Sequence, residues 1–429
     1  MLAQPTQPSG IQPGMETVKR ILHRLLGSYP GSLEVVLWNG RTFRFGDGQP
    51  AFTLTFRHPR VLRDLVWSRD PVKLAEAYFG GHVEVSGDFD AALGLRQHLE
   101  SLRLSFTDKV SLLLHTLSLD SATTYFLPDQ EIPQAPAEHQ NGRESIAFHY
   151  DVSNAFYKLW LDERMVYSCG YFETPEQDIN QAQRNKLDHI CRKLRLKPNE
   201  TLLDIGCGWG ALVCWAAAVY GVKAHGITLS QNQYDYAQEQ IRLQGLQDRV
   251  TVELRDYRTL PAAQYDKVVS VGMFEHVGLK NLPLYFDAAF RSVKPGGLFL
   301  NHGISTDKPG WNPDSSSRFI NRHVFPDGEL DTVSSVMCRM EAHGFEIFDV
   351  EGLRPHYALT LRQWVKRLEA HAAEAIQLVG ERTYRIWRLY MTGCAKQFEQ
   401  GKTGIYQILA VRRRDGFPAL PLTRRDLYN

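Results

Sequence analysis

Hydrophobic and polar positions follow two different rhythms along this chain, and the change falls near Ser145. Before it, Met1 to Gly14 is rich in Pro, Gln and Gly and reads as a flexible tail. Helical spacing of apolar residues then predicts a helix over Met15–Leu26. Strand-like pieces follow at Leu33–Trp38, Thr42–Phe45 and Phe52–Phe56, separated by Gly and Asn turns. Helical runs return at Val61–Leu65 and Pro71–Phe79, and the Leu-rich stretch Leu93–Leu119 has room for one or two more. Residues 15–126 are thus expected to form a small α+β domain. From Leu127 to Arg143 the chain turns polar, with Pro128, Pro133, Pro136 and Gly142, which is linker composition.

In residues 144–429 apolar runs of strand length alternate with helical stretches. Strands are predicted at Thr201–Ile205, Lys223–Thr228, Val250–Leu254, Lys267–Val271 and Leu298–Ile304, with two more at Phe345–Val350 and Ile405–Arg412. Two of the intervening helices close on Gly221 and Gly245, at C-cap positions. Such alternation predicts a doubly wound α/β fold, a parallel sheet covered on both faces.

Composition narrows the class. At 429 residues two domains are the natural expectation, and 43% hydrophobic with 23% charged residues excludes a mostly disordered or fibrous chain. A formal net charge of +1 gives no global field for nucleic acid, and no nucleic-acid partner is expected. The cysteines form no CxxC pair and the histidines no HExxH, so no metal site is expected and a reducing compartment fits. The N-terminus lacks the basic start and apolar run of a signal peptide. The longest apolar stretch, Ala211–Tyr220, is too short to span a bilayer. A cytoplasmic protein with at most peripheral membrane contact is expected.

The first strand of the second region runs into Asp204-Ile205-Gly206-Cys207-Gly208-Trp209-Gly210. Glycines there let backbone pass close to a ligand at a helix N-terminus. The spacing is GxGxG, unlike the dinucleotide fingerprint, and no Asp or Glu ends the second strand to hold ribose hydroxyls, which counts against a dehydrogenase. Ser230 and Gln233 have capping-box spacing, and Gln233 either caps its helix or reaches the ligand. After the third strand, Asp256 either accepts from an adenine amino group or starts a turn, and Tyr257 offers a stacking face.

Four strings narrow this further: His149-Tyr150-Asp151, Tyr167-Ser168-Cys169-Gly170-Tyr171-Phe172, Gly226-Ile227-Thr228-Leu229-Ser230 and Val271-Gly272-Met273-Phe274-Glu275-His276-Val277-Gly278. Over roughly Ser145–Gly416 the chain resembles the cyclopropane-fatty-acyl-phospholipid synthases and the related mycolic acid cyclopropane synthases. Glu76–Gly81 through Asp88 resembles the N-terminal domain of the longer bacterial synthases. The resemblance implies a class I methyltransferase sheet with one antiparallel strand near the C-terminus, and S-adenosylmethionine as methyl donor. It places Tyr150, Tyr167, Ser168, Gly206, Gly208, Ile227, Thr228, Gln233 and Tyr257 against that donor, with Asp204 and Gly210 in the same loop. It implies a bicarbonate ion held by Cys169, Glu275, His302, Ile304 (through backbone) and Tyr357. Cys394 falls on a position viewed as a candidate active-site thiol. An unsaturated phospholipid in the membrane is the implied substrate, and a homodimer the implied assembly.

The chemistry is consistent with these groups. An alkene is a poor nucleophile and must be held in line with the sulfonium methyl. Methyl transfer leaves a carbocation, so water must be excluded while aromatic faces stabilise the charge. Ring closure then needs a base, and Glu275 is expected to accept the bicarbonate hydroxyl proton and fix that ion's orientation. Methyl transfer needs no covalent enzyme intermediate, which argues against a nucleophilic Cys394. Phe156 and Trp160, at i,i+4 spacing, read as packing residues. Arg382, Arg385 and Arg388, with Trp387 and Tyr390 nearby, suggest a helix lying on an anionic surface. Two other readings stay open: methyl or methylene branching without ring closure, and a non-catalytic lipid-binding protein.

Overall fold

The computed structural model describes residues 13–68, 71–102, 153–262, 264–310, 315–325, 328–416 and 420–428. The chain divides into two compact units, Met1–Ile132 and Pro133–Asn429. The expected linker, Tyr150 and the part of Leu93–Leu119 beyond Leu102 lie outside the described residues.

In the first unit, β1 (Leu33–Val36), β2 (Thr42–Phe45), β3 (Phe52–Phe56) and β4 (Val83–Gly87) form one sheet in the order β2-β1-β3-β4. β1 and β3 run parallel, and the outer pairings are antiparallel. Leu33, Val35, Phe52, Leu54 and Phe56 face one way at a two-residue period. They meet Val18, Ile21, Leu22 and Leu25 from the helix Pro13–Leu26, whose apolar stripe repeats every three to four residues. β4 was not expected from the sequence. Only Val83 in it is buried, so its apolar alternation is weak, and pairing with β3 makes it a strand.

The second unit holds a seven-stranded sheet of β5 (Thr201–Ile205), β6 (Lys223–Thr228), β7 (Val250–Leu254), β8 (Tyr265–Val271), β9 (Val293–Thr306), β10 (Phe345–Gly352) and β11 (Thr403–Arg412). Its order is β10-β11-β9-β8-β5-β6-β7. β5 to β9 are mutually parallel, and β11 inserts antiparallel between β9 and β10. This is the doubly wound sheet with one reversed strand that the sequence led us to expect.

The central strands are covered on both faces, whereas the edge strands β7 and β10 keep exposed positions. Leu202, Val269, Leu298 and Leu300 pack on one side with the helices Ile179–Lys193, Ala211–Tyr220 and Gln231–Leu243. Leu203, Ile205, Val268 and Phe299 pack on the other with Leu282–Ser292 and Val333–Ala342. Strand order reverses between β5 and β8, so the loops leaving their carboxyl ends diverge and open a crevice.

The arginine stripe is not a free basic face. Arg385 is 6% exposed and pairs with Glu381 at 2.6 Å, and Arg388 donates to Glu369 at 2.7 Å. Trp387 and Tyr390 beside them are buried in the unit rather than offered to a bilayer. Among the described residues, no helix is long and apolar enough to cross a membrane.

Candidate active site

The glycine loop is held by backbone. Gly206 and Cys207 N–H groups both donate to the Ile227 carbonyl, at 3.0 and 2.9 Å, which pins the end of β5 to β6. Gly206 has φ +85°, and a Cβ there would stand 2.8 Å from Met273 Cγ. The position therefore requires glycine on both counts. Gly210, with φ +86°, opens the helix Ala211–Tyr220.

Beyond this turn lies a cavity lined by Tyr167, Ser168, Asp204, Gly206, Gly208, Ile227, Thr228, Gln233 and Tyr257, all residues expected to hold the donor. Gly210 and Asp256 do not line it. Asp256 instead forks onto the Arg258 guanidinium and accepts the Arg258 N–H at 2.9 Å, the turn-starting role. Ser230 caps its helix by accepting the Gln233 N–H at 3.3 Å. The Gln233 side chain does not reach back to complete a capping box. Its Oε1 accepts the Thr228 hydroxyl at 2.7 Å, which turns it toward the end of β6.

Lys186 was missed from sequence. It lines the same cavity at 3% exposure, and its Nζ donates to Ser168 Oγ at 3.0 Å. Burial draws its pKa down to about 8, while the carboxylates of Asp162 and Asp204 pull the other way. Asp204 is equally buried, its pKa raised to about 7 by desolvation against the pull of Lys186. Asp204 Oδ1 has no hydrogen-bond partner. A readable signal existed: Lys186 falls in the apolar stripe of its own helix, with Ile179, Ala182 and Ile190. Met273 and His276 also line the cavity, and burial lowers the His276 pKa to about 4.

A second corner forms where β8 meets β9. Val271 pairs with His302, and the Gly272 N–H donates to the His302 carbonyl at 2.8 Å. The 3-10 turn Phe274–His276 then folds Glu275 back onto β9. Glu275 Oε1 accepts the Ile304 N–H at 2.8 Å. That amide was expected to hold an anion; here the carboxylate occupies it, because a buried N–H takes the nearest acceptor. Gly303 makes room for the turn, since a Cβ there would lie 1.8 Å from the Phe274 ring.

Burial raises the Glu275 carboxyl to about 7, partly offset by the Ile304 hydrogen bond, and Oε2 is buried without a partner. His302 is 1% exposed and held well below the usual imidazole range, first by desolvation and then by nearby positive charge. The Gln407 amide meets its Nδ1 at 3.1 Å, and Nε2 is buried without a partner. With the amide donating to Nδ1, the neutral ring carries its proton on Nε2. One buried donor and one buried acceptor are thus left open at this corner.

Tyr357 is buried, its ring tilted on Phe398 at 4.7 Å. Cys169 is fully buried, donates to the Gly170 carbonyl at 3.2 Å, and is pushed by burial far above the usual thiol range. Cys394 is half-buried, and burial pushes its thiol up to about 12, which opposes thiolate formation. Tyr167 links the donor cavity to an aromatic wall, 5.4 Å from Trp160 and 5.3 Å from Trp364. Phe156 and Trp160 are fully buried against Trp387, in a packing role. The two corners share the end of β8: Val271, Gly272, Met273 and His276 line the donor cavity, and Glu275 among them turns onto β9.

Residues 137–408 match the family model described as mycolic acid cyclopropane synthetase, and residues 20–98 match a domain of unknown function. A Pseudomonas putida protein described as a "probable fatty acid methyltransferase" is 42% identical over 92% of this chain and 96% of its own length. The cyclopropane-fatty-acyl-phospholipid synthase of Escherichia coli K12 is 40% identical over 62% of this chain and 66% of its own. Among solved structures, the Mycobacterium tuberculosis cyclopropane synthase MmaA2 superposes with a TM-score of 0.60 at 34% identity, covering 63% of this chain and 98% of that one. The mycolic acid cyclopropane synthase CmaA1, solved in complex with SAH and CTAB, gives the same values. With its family model spanning the whole glycine-loop and β8–β9 machinery, the chain belongs to the mycolic acid cyclopropane synthetase family and is an S-adenosylmethionine-dependent methyltransferase of lipid-modifying type.

Proposed function

We propose that this protein methylates the cis double bond of an unsaturated phospholipid acyl chain and closes a cyclopropane ring across it. The observation that carries the reading is the presence of two open, buried polar atoms, Glu275 Oε2 and His302 Nε2, where β9 meets the β8 end that lines the donor cavity. S-adenosylmethionine supplies an electrophilic methyl on a sulfonium. Tyr167, Gln233 and the glycine loop hold the donor, and the wall of Trp160, Trp364 and Trp387 keeps water from the cation that methyl addition leaves on the chain. Loss of a proton from the transferred methyl then forms the last ring bond, a net gain of CH2.

The residues at the second corner fit a bicarbonate, which would supply the base for that proton. Glu275 Oε2 would accept its hydroxyl hydrogen and His302 Nε2 would donate to its oxygen. Two open sites of opposite sense suit an ion that both donates and accepts. The high pKa of Glu275 reflects a carboxylate that lacks a cationic partner, so a hydroxyl donor is the neighbour it needs.

The kinship to a Pseudomonas putida protein named for fatty acid methylation favours a second reading, methyl or methylene branching without ring closure. Incubation with S-adenosylmethionine and unsaturated phospholipid vesicles, followed by NMR of the released fatty acids, tests both. Cyclopropyl methylene signals are expected. A vinylidene signal would favour branching, and no transferred carbon at all would overturn the proposal.

A further inference from the structure

We infer that Lys186 is the cation that recognises the carboxylate of the donor's amino-acid end. The inference rests on the reading of the β5 cavity as the S-adenosylmethionine site.

That donor is an adenosine joined to a zwitterion, with a carboxylate at one end needing a positive partner. Lys186 lines the cavity at 3% exposure, and its hydrogen bond goes to the Ser168 hydroxyl at 3.0 Å rather than to a carboxylate. Ser168, also a lining residue, thereby holds the ammonium at the cavity wall. Asp162 and Asp204 act on this buried ammonium without a direct ion pair among the described residues, and a ligand carboxylate would supply the close partner. Asp204 completes the complement: a buried carboxylate on the same cavity with Oδ1 open, suited to the donor's own ammonium.

The other lining cations fit the role less well. Arg255 is paired with Glu253 at 3.0 Å and follows β7, the strand whose end carries Tyr257 and hence the adenine side. His276 is half-buried, and desolvation lowers its pKa to about 4, which disfavours a cation there.

The test compares two ligands by calorimetry on the full-length protein. S-adenosylhomocysteine carries the amino-acid end, and 5′-methylthioadenosine lacks it. Lys186→Met should weaken S-adenosylhomocysteine about tenfold or more and leave methylthioadenosine within about threefold. Lys186→Gln keeps a donor for Ser168 but no charge, and should lose the same ligand selectively, which covers a Met variant that fails to fold. A parallel loss of both ligands would reduce Lys186 to a support for Ser168 and overturn the inference, as would unchanged affinity for S-adenosylhomocysteine. Failure of the wild-type protein to bind S-adenosylhomocysteine would instead remove the donor-site reading itself, and this inference with it.

Discussion

The two corners of the crevice are built in opposite ways. At the end of β5 the site is framed by backbone: a glycine loop and two N–H groups on the Ile227 carbonyl, with side chains gathered around it from several segments. At the end of β8 and β9 the site is largely side chain: a carboxylate from a 3-10 turn seated on the amide of another strand, and a histidine held by a glutamine from β11. The first spreads donor binding over many groups, so a single side-chain change there should cost about tenfold in affinity and leave the chemistry of bound donor intact. The second depends on a few contacts between segments far apart in sequence, so single substitutions there should be severe and should spare donor binding.

Glu275→Gln is the strongest way to test that contrast. Turnover should fall about a hundredfold or more, while S-adenosylhomocysteine affinity measured by calorimetry stays within about threefold. The same variant has a pH signature. Glu275 rises from 4.5 to about 7 on folding, so between those values the native state binds more protons than the unfolded one. Stability therefore falls as pH rises through that window, by on the order of 3 kcal/mol, and the Gln variant escapes the fall. Melting curves should show the variant gaining on wild type from pH 5 to pH 8. A gap that does not widen would mean that the carboxyl is not buried as described.

Gly303→Ala should cost about a hundredfold in turnover, because displacing the Phe274 ring moves Glu275 off β9. Overpacking should also lower stability by about 1–3 kcal/mol in denaturant melts. Donor binding lost in proportion to turnover would show that the corners are not separable. Asp204→Asn should act on the other corner alone, weakening S-adenosylhomocysteine about tenfold with little change in the rate of bound donor in single-turnover assays. Ser230→Ala removes only a helix cap, and should cost about 1 kcal/mol with activity at saturating donor unchanged.

Sequence legibility followed the same division. Thr201–Ile205, Lys223–Thr228 and Val250–Leu254 were readable to the residue, because short strand-length segments rich in apolar residues alternate there with helical stretches that close on Gly221 and Gly245. β9 was read short, as Leu298–Ile304, because Lys294, Pro295 and two glycines interrupt its start and only pairing carries the strand back to Val293. β4 escaped because one buried valine is too little pattern. In the donor cavity the glycine loop and its neighbours were legible, while Lys186 was not: it lies before β5 in sequence and enters the cavity only when its helix packs on the sheet. In the basic face read from Arg382, Arg385 and Arg388, the latter two are paired with Glu381 and Glu369, which helical spacing alone does not reveal.

By itself the sequence determined that strands and helices alternate, that glycines end the first strand of the large sheet, and that apolar residues fill both faces. Those properties are local, set by periodicity and by the conformational freedom of particular residues. Tertiary structure alone decided that the Glu275 carboxylate sits on the Ile304 amide, that Gln407 holds His302, and that a lysine is buried beside an aspartate at the cavity. The physical reason is that these are desolvation effects: a charge or an unpaired polar atom acquires its altered chemistry only when distant segments close over it and exclude water.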